Sequence, residues 1–261
     1  MFANLANLFR YRGLIQSLVV RELKARYRGS VLGFFWSFIN PLMLLLVYSF
    51  VFSTVMPNKT EGIQPYALFM FCGILPWTWF SAALTEATNS LIAGGNLIKK
   101  VLFPAEILPL VSVLANMVNF FLGLFILVPA LLYYHRLHFT PNLLWFPVTV
   151  LVQLIFTAGL GLILAALTVH FRDLRDLLAN ILMLWFVSTP IIYSWRQENV
   201  QRLLNLNPFT HLAVSYQEVL FRPGPFTQWP RLLIVGTCSL GVFLVGYFVF
   251  DKLRETLAEE V

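Results

Sequence analysis

Charge is what this sequence has least of. Asp, Glu, Lys and Arg make up 11% of its 261 residues and hydrophobic residues 59%, where a soluble domain carries about 25% charged residues. That gap excludes a soluble core of this size. Cysteine is nearly missing: Cys72 and Cys238 are the two, each inside an apolar run, where a thiol acts as a small hydrophobe. A disulfide scaffold is therefore excluded. The Gly-x-x-x-x-Gly-Lys-[Ser/Thr] phosphate loop is missing as well, so active transport would need another chain for its nucleotide chemistry. Convergent titratable groups are scarce. His135-x-x-His138 has no acidic or Cys neighbour, which excludes an obvious metal site. Asp173 and Asp176 alternate with Arg172 and Arg175, as in a solvated loop. Glu218 has Arg222 four residues on, so a helical ion pair accounts for it. Glu86 is less easily dismissed, because it falls near the inner boundary of an apolar run.

What the chain does have is long apolar runs. At about 20 residues per crossing, six spans are expected, at 31–56, 66–90, 107–134, 143–169, 177–194 and 232–250. The fold class is thus all-α and integral to a membrane. The first span carries no charge and holds Asn40-Pro41; it should tilt or kink and face protein or water there rather than lipid. In the fourth, Thr157, Gly161 and Ala165 form a stripe of small residues suited to close helix packing.

Residues 1–30 do not span. Leu8, Tyr11, Ile15 and Leu18 share one side of a helix, while Arg10, Arg12, Arg21, Lys24, Arg26 and Arg28 supply positive charge. This pattern predicts an amphipathic helix in the membrane interface with a basic collar. No cleavable signal peptide is apparent, so the first span is expected to remain as an anchor. Between the last two spans, Asn207-Pro208 starts a helix of about 14 residues, too short to cross. It should lie in the outer interface or dip in and return, within an outer segment at 195–230. Twelve of the eighteen Lys and Arg fall on one side if the N-terminus is inside, so the positive-inside rule puts both termini in the cytoplasm. The net charge of +6 follows from these collars and does not signal nucleic acid.

In order along nearly the whole chain stand Arg21-Glu22-Leu23-Lys24-Ala25-Arg26-Tyr27, Leu32-Gly33-Phe34-Phe35-Trp36, Asn40-Pro41 and Gly73-Ile74-Leu75-Pro76-Trp77-Thr78-Trp79-Phe80. Asn96-Leu97-Ile98-Lys99-Lys100-Val101-Leu102-Phe103-Pro104-Ala105-Glu106 follows, then Phe171-Arg172-Asp173-Leu174-Arg175-Asp176, Thr189-Pro190-Ile191-Ile192-Tyr193 and Leu206-Asn207-Pro208-Phe209. This series resembles the polysaccharide-exporting branch of the ABC-2 type ABC transporter permeases. The resemblance implies a homodimer of six-helix subunits in a bacterial inner membrane, with two copies of a separate ATPase that binds ATP and Mg. No cofactor is expected in this chain, and no catalysis. The cargo would be a lipid-linked polysaccharide: O-antigen, capsule or, in other cell types, teichoic acid. The ATPase-coupling residues would be Arg21, Glu22, Lys24 and Arg26 on the interface helix, and Asn96, Lys99 and Lys100 on an inner coupling loop at 94–104. Segment 195–230 would be re-entrant and shape the exit. Trp36, Tyr48, Trp77, Trp79 and Tyr193 are candidates for the translocation path, since aromatic faces stack on sugars; interfacial belts use the same residues. Competing readings are a permease for a drug or small lipid, and a membrane-embedded transferase on lipid-linked sugars. The transferase would need a carboxylate or His cluster at one membrane face.

Overall fold

In a computed structural model every regular element is helical. The structure describes residues 11–55, 63–95, 104–137, 140–171, 173–193 and 204–260. Among these are eight α-helices: α1 Arg12–Arg26, α2 Trp36–Phe50, α3 Tyr66–Ala93, α4 Ile107–Tyr133, α5 Trp145–His170, α6 Leu174–Val187, α7 Pro208–Leu220 and α8 Trp229–Glu260. Short 3-10 turns precede α2 and α5, and a π turn, Val51–Val55, extends α2.

Among the described residues, five helical stretches are long and apolar enough to cross a membrane: Gly33–Val55, Tyr66–Ala93, Ile107–Tyr133, Pro141–His170 and Trp229–Leu253. They fall within a few residues of five expected spans. The expected span at 177–194 departs. Its helix, α6, has 14 residues, a length of about 21 Å against a hydrocarbon core of about 30 Å. Thr189-Pro190 explains the stop, because the residue before a proline is pushed out of the helical region. The backbone is irregular from Ser188 to Tyr193.

Helix α3 is the axis of the bundle. Its first half is apolar on all sides, as suits a helix enclosed by others, and α4, α5, α7, α2 and α6 all pack on it. The Gly73–Phe80 run lies at its centre: Trp77 meets Phe209 edge to face at 4.9 Å, with Phe80, Phe186 and Trp185 at 5.5, 5.5 and 6.5 Å. The small-residue stripe of α5 does pack closely, since a Cβ on Gly161 would lie 3.2 Å from Ala87. A second close approach was not apparent in the sequence. A Cβ on Gly159 would lie 2.7 Å from the Phe243 backbone, and one on Gly246 would meet the Gly159 carbonyl oxygen. Helices α5 and α8 therefore touch backbone to backbone, the contact that small residues permit in lipid.

Helix α7 begins where Asn207-Pro208 predicts. Asn207 Oδ1 accepts from the Phe209 amide at 3.0 Å and from Trp185 Nε1 at 2.7 Å, while Nδ2 donates to Thr189 Oγ1 at 3.0 Å. One side chain thus caps α7 and ties it to the end of α6. The helix lies within the bundle, with Phe209, Leu212, Ala213, Tyr216 and Leu220 all buried. Asn207→Ala is expected to lower stability by about 2 kcal/mol, the upper range for a cap, because Trp185 and Thr189 lose a partner too. A fall in the melting temperature of the detergent-solubilised protein checks this. The expected Glu218–Arg222 pair does not form. Helix α7 ends at Leu220, so Arg222 is no longer one turn from Glu218. Instead Glu218 accepts from Thr227, at 3.0 Å from its amide and 2.8 Å from its hydroxyl, and Arg222 sits over the Phe69 ring.

Candidate functional site

The site is built from α1 upward. Its apolar side docks on the start of α4: Leu18 is buried against Ile107 and Val111, with Tyr11, Leu14, Ile15 and Val19 around them. Leu8 lies outside the described residues. The opposite side is basic. Arg21, Lys24 and Arg28, with Ser17, line an open groove of about 430 Å³, a surface suited to an acidic partner or to anionic lipid.

At its C-terminal end α1 is fastened a second time. Arg26 Nη2 donates to both carboxylate oxygens of Glu86 on α3, at 2.6 and 2.8 Å. Arg26 Nη1 reaches Asn116 Oδ1 on α4 at 3.3 Å, and Asn116 Nδ2 closes the ring onto Glu86 Oε2 at 2.6 Å and also donates to the Ser112 carbonyl. A carboxylate within a span is costly alone and needs a cation; Arg26 provides it. Glu22 and Arg21 line an adjoining cavity of about 280 Å³ with Glu86 and Asn89.

Above this cluster, α2 stands off α3 and α4 and leaves a cavity of about 320 Å³. Its walls include Arg26, Ser37, Asn40, Thr78, Asn116 and Asn119. Asn119 Oδ1 is buried there without a hydrogen bond among the described residues. Asn40 and Pro41 of α2 thus line a space shared with α3 and α4, as expected of that pair, although Leu44, Phe71, Ile74, Leu75 and Phe120 make most of its surface apolar.

The sequence-derived candidates separate into groups. Arg21, Glu22, Lys24 and Arg26 gather on α1, whereas Asn96, Lys99 and Lys100, with most of the expected inner loop at 94–104, lie outside the described residues. Of the path candidates, Trp79 lines the 320 Å³ cavity and donates to the Val113 carbonyl at 3.1 Å. Trp77 is packed into the aromatic core. Trp36 is exposed and donates to Ser30 Oγ at 2.9 Å. Tyr48 begins an outer aromatic row through Phe52, Tyr66, Phe69 and Phe221. Tyr193 is exposed beyond α6, its hydroxyl on the Val187 carbonyl at 3.1 Å. These five do not converge on one cavity. Sequence reasoning missed Asn116 and Ser37; a polar residue inside an apolar run was the available signal.

A family model described as ABC-2 type transporter matches residues 13–221, from the start of α1 through α7. The chain belongs to the ABC-2 type transporter family. As an ABC-2 permease it is the transmembrane subunit of a transporter, not itself a catalyst, and an ATPase partner is implied. It is 40% identical over 258 residues to the O-antigen export system permease protein RfbA of Myxococcus xanthus, covering 97% of each chain. It is 32% identical over 261 residues to the protein of that name from Klebsiella pneumoniae, covering 98% of this chain and 96% of the relative. The polysialic acid transport protein KpsM of Escherichia coli is 21% identical over 248 residues, covering 93% and 94%.

Proposed function

We propose that this chain is the permease subunit of an ATP-driven exporter that moves a lipid-linked cell-surface polysaccharide, of the O-antigen class, across a bacterial inner membrane. The observation that carries this is the 40% identity to an O-antigen export permease along 97% of both chains. The polysialic acid transport protein and the capsule polysaccharide export proteins are about half as similar, at 21–22%, which favours O-antigen.

In this reading two copies of the chain pair with two copies of a separate ATPase, which binds ATP and Mg. Six crossings put both termini in the cytoplasm; the fifth is made by α6 and completed by the irregular backbone after Val187. Arg21 and Lys24 on α1, with Arg28 in the turn after it, present the basic groove to the ATPase, beside the inner loop with Asn96, Lys99 and Lys100. Helix α7 is the re-entrant segment, supported by its burial and its length of about 20 Å. Trp36, Tyr48, Trp79 and Tyr193 meet the sugar chain along its path; Trp77 supports them from the core.

Deleting the gene is expected to remove the polymer from the cell surface and leave it, lipid-linked, inside. The tagged chain should copurify with an ATPase, and K99E/K100E should lower the ATPase recovered with it by about tenfold, the size of a rim charge reversal at an interface. Unchanged surface polymer with a defect in drug or small-lipid efflux would favour the other permease reading. Turnover of a sugar lipid by the isolated chain would favour the transferase.

A further inference from the structure

We infer that the Arg26–Glu86–Asn116 cluster is a clasp that makes the interface helix α1 and the bundle helices α3 and α4 move as one body, with Glu86 the positioning residue that ties ATP hydrolysis to transport. The inference rests on the permease reading above.

Helix α1 meets the bundle at two places. Leu18 inserts against Ile107 and Val111, and Arg26 reaches Glu86 and Asn116. The two attachments are eight residues apart, about 12 Å along the helix. The first is apolar and non-directional, so alone it would let α1 pivot and slide. The second fixes the angle, because the guanidinium must satisfy two carboxylate oxygens and an amide oxygen at once. A body held at two points transmits a push; a body held at one rotates under it.

The placement of the partners matters as much as their charge. Glu86 is seven residues from the inner end of α3, and Asn116 nine residues from the start of α4, depths of about 10 and 14 Å. These helices flank the inner loop, and the close approach of Gly94 to Leu108 already brings its two ends together. The clasp adds a third member from outside that hairpin. Asn116 cannot turn over without losing all three of its partners, since Oδ1 accepts from Arg26 while Nδ2 donates to Glu86 and to the Ser112 carbonyl. Displacement of α1 therefore reaches both arms of the hairpin together.

The experiment compares variants in the full complex of this chain with its copurifying ATPase. It reads ATP hydrolysis by the purified complex and surface polysaccharide in cells carrying the same variant. Glu86→Gln is expected to lower export relative to ATP hydrolysed by about tenfold, within the range of a mutational change in coupling. Exchanging the charges in R26E/E86R should restore about a third or more of the lost ratio, as in a double-mutant cycle between paired groups. R26M/E86M leaves no charge unpaired and so guards against misfolding; its ratio should fall as in E86Q. Folded E86Q and R26M/E86M complexes whose ratio stays within about twofold of the unaltered protein overturn the inference. So does a loss of hydrolysis and export in equal proportion, which would reduce the cluster to an assembly contact. A wild-type chain that neither copurifies with an ATPase nor supports surface polymer would instead refute the permease reading.

Discussion

Trp77→Ala is expected to destabilise the bundle by about 3 kcal/mol, the low end for truncating a buried aromatic. The value is at the low end because helices separated in lipid keep apolar surroundings, which removes part of the transfer contribution. What is lost is packing: Trp77 touches four rings, from α3 itself, α6 and α7. Phe80 and Phe209 are not free to refill that volume, because they are themselves fully enclosed. The yield of monodisperse protein after extraction in mild detergent should drop sharply. Trp36→Ala, at an exposed ring on the first span, should leave that yield unchanged and lower export if Trp36 meets cargo. The pair of variants thus separates an aromatic that holds the protein together from one that serves the path.

Gly159→Leu is expected to be more severe, at about 3 kcal/mol or more. Overpacking ordinarily costs about 1–3 kcal/mol when side chains can adjust, but here the obstacle is the main chain of Phe243. Leucine would have to push α8 off α5 along much of their shared length. Gly241→Leu, on the partner helix α8, is the control, because nothing lies within 4 Å of a Cβ placed there. The two variants differ by position and not by composition, so a similar yield from both would rule out backbone contact between α5 and α8.

The sequence made five of the spans, the interface helix and the Asn207 cap legible, and the reason is local. Apolar run length and a capping asparagine act within one segment, and lipid leaves few alternatives to helix. The helix expected over 177–194 stops short, because an apolar run reports solvent preference, whereas Pro190 decides where the helix stops. The Glu218–Arg222 pair failed for a similar reason: spacing of four counts only inside a helix, and α7 ends between them. The clasp was half visible. Glu86 stood out as an acid in an apolar run, but its partners lie 60 and 30 residues away, and many arginines in the basic collar could have met it. Among the path candidates, composition could not say that Trp77 turns inward while Trp36 turns out.

The burial of α7 bears on how this protein is made. A 13-residue helix cannot anchor itself across the bilayer while the ribosome is still at work, and part of its socket comes from α8, which emerges afterwards. Until α8 emerges, Phe209, Leu212 and Tyr216 lack part of their cover. Conditions that delay translation of the residues of α8 would therefore lengthen the interval in which a nascent chain is open to degradation.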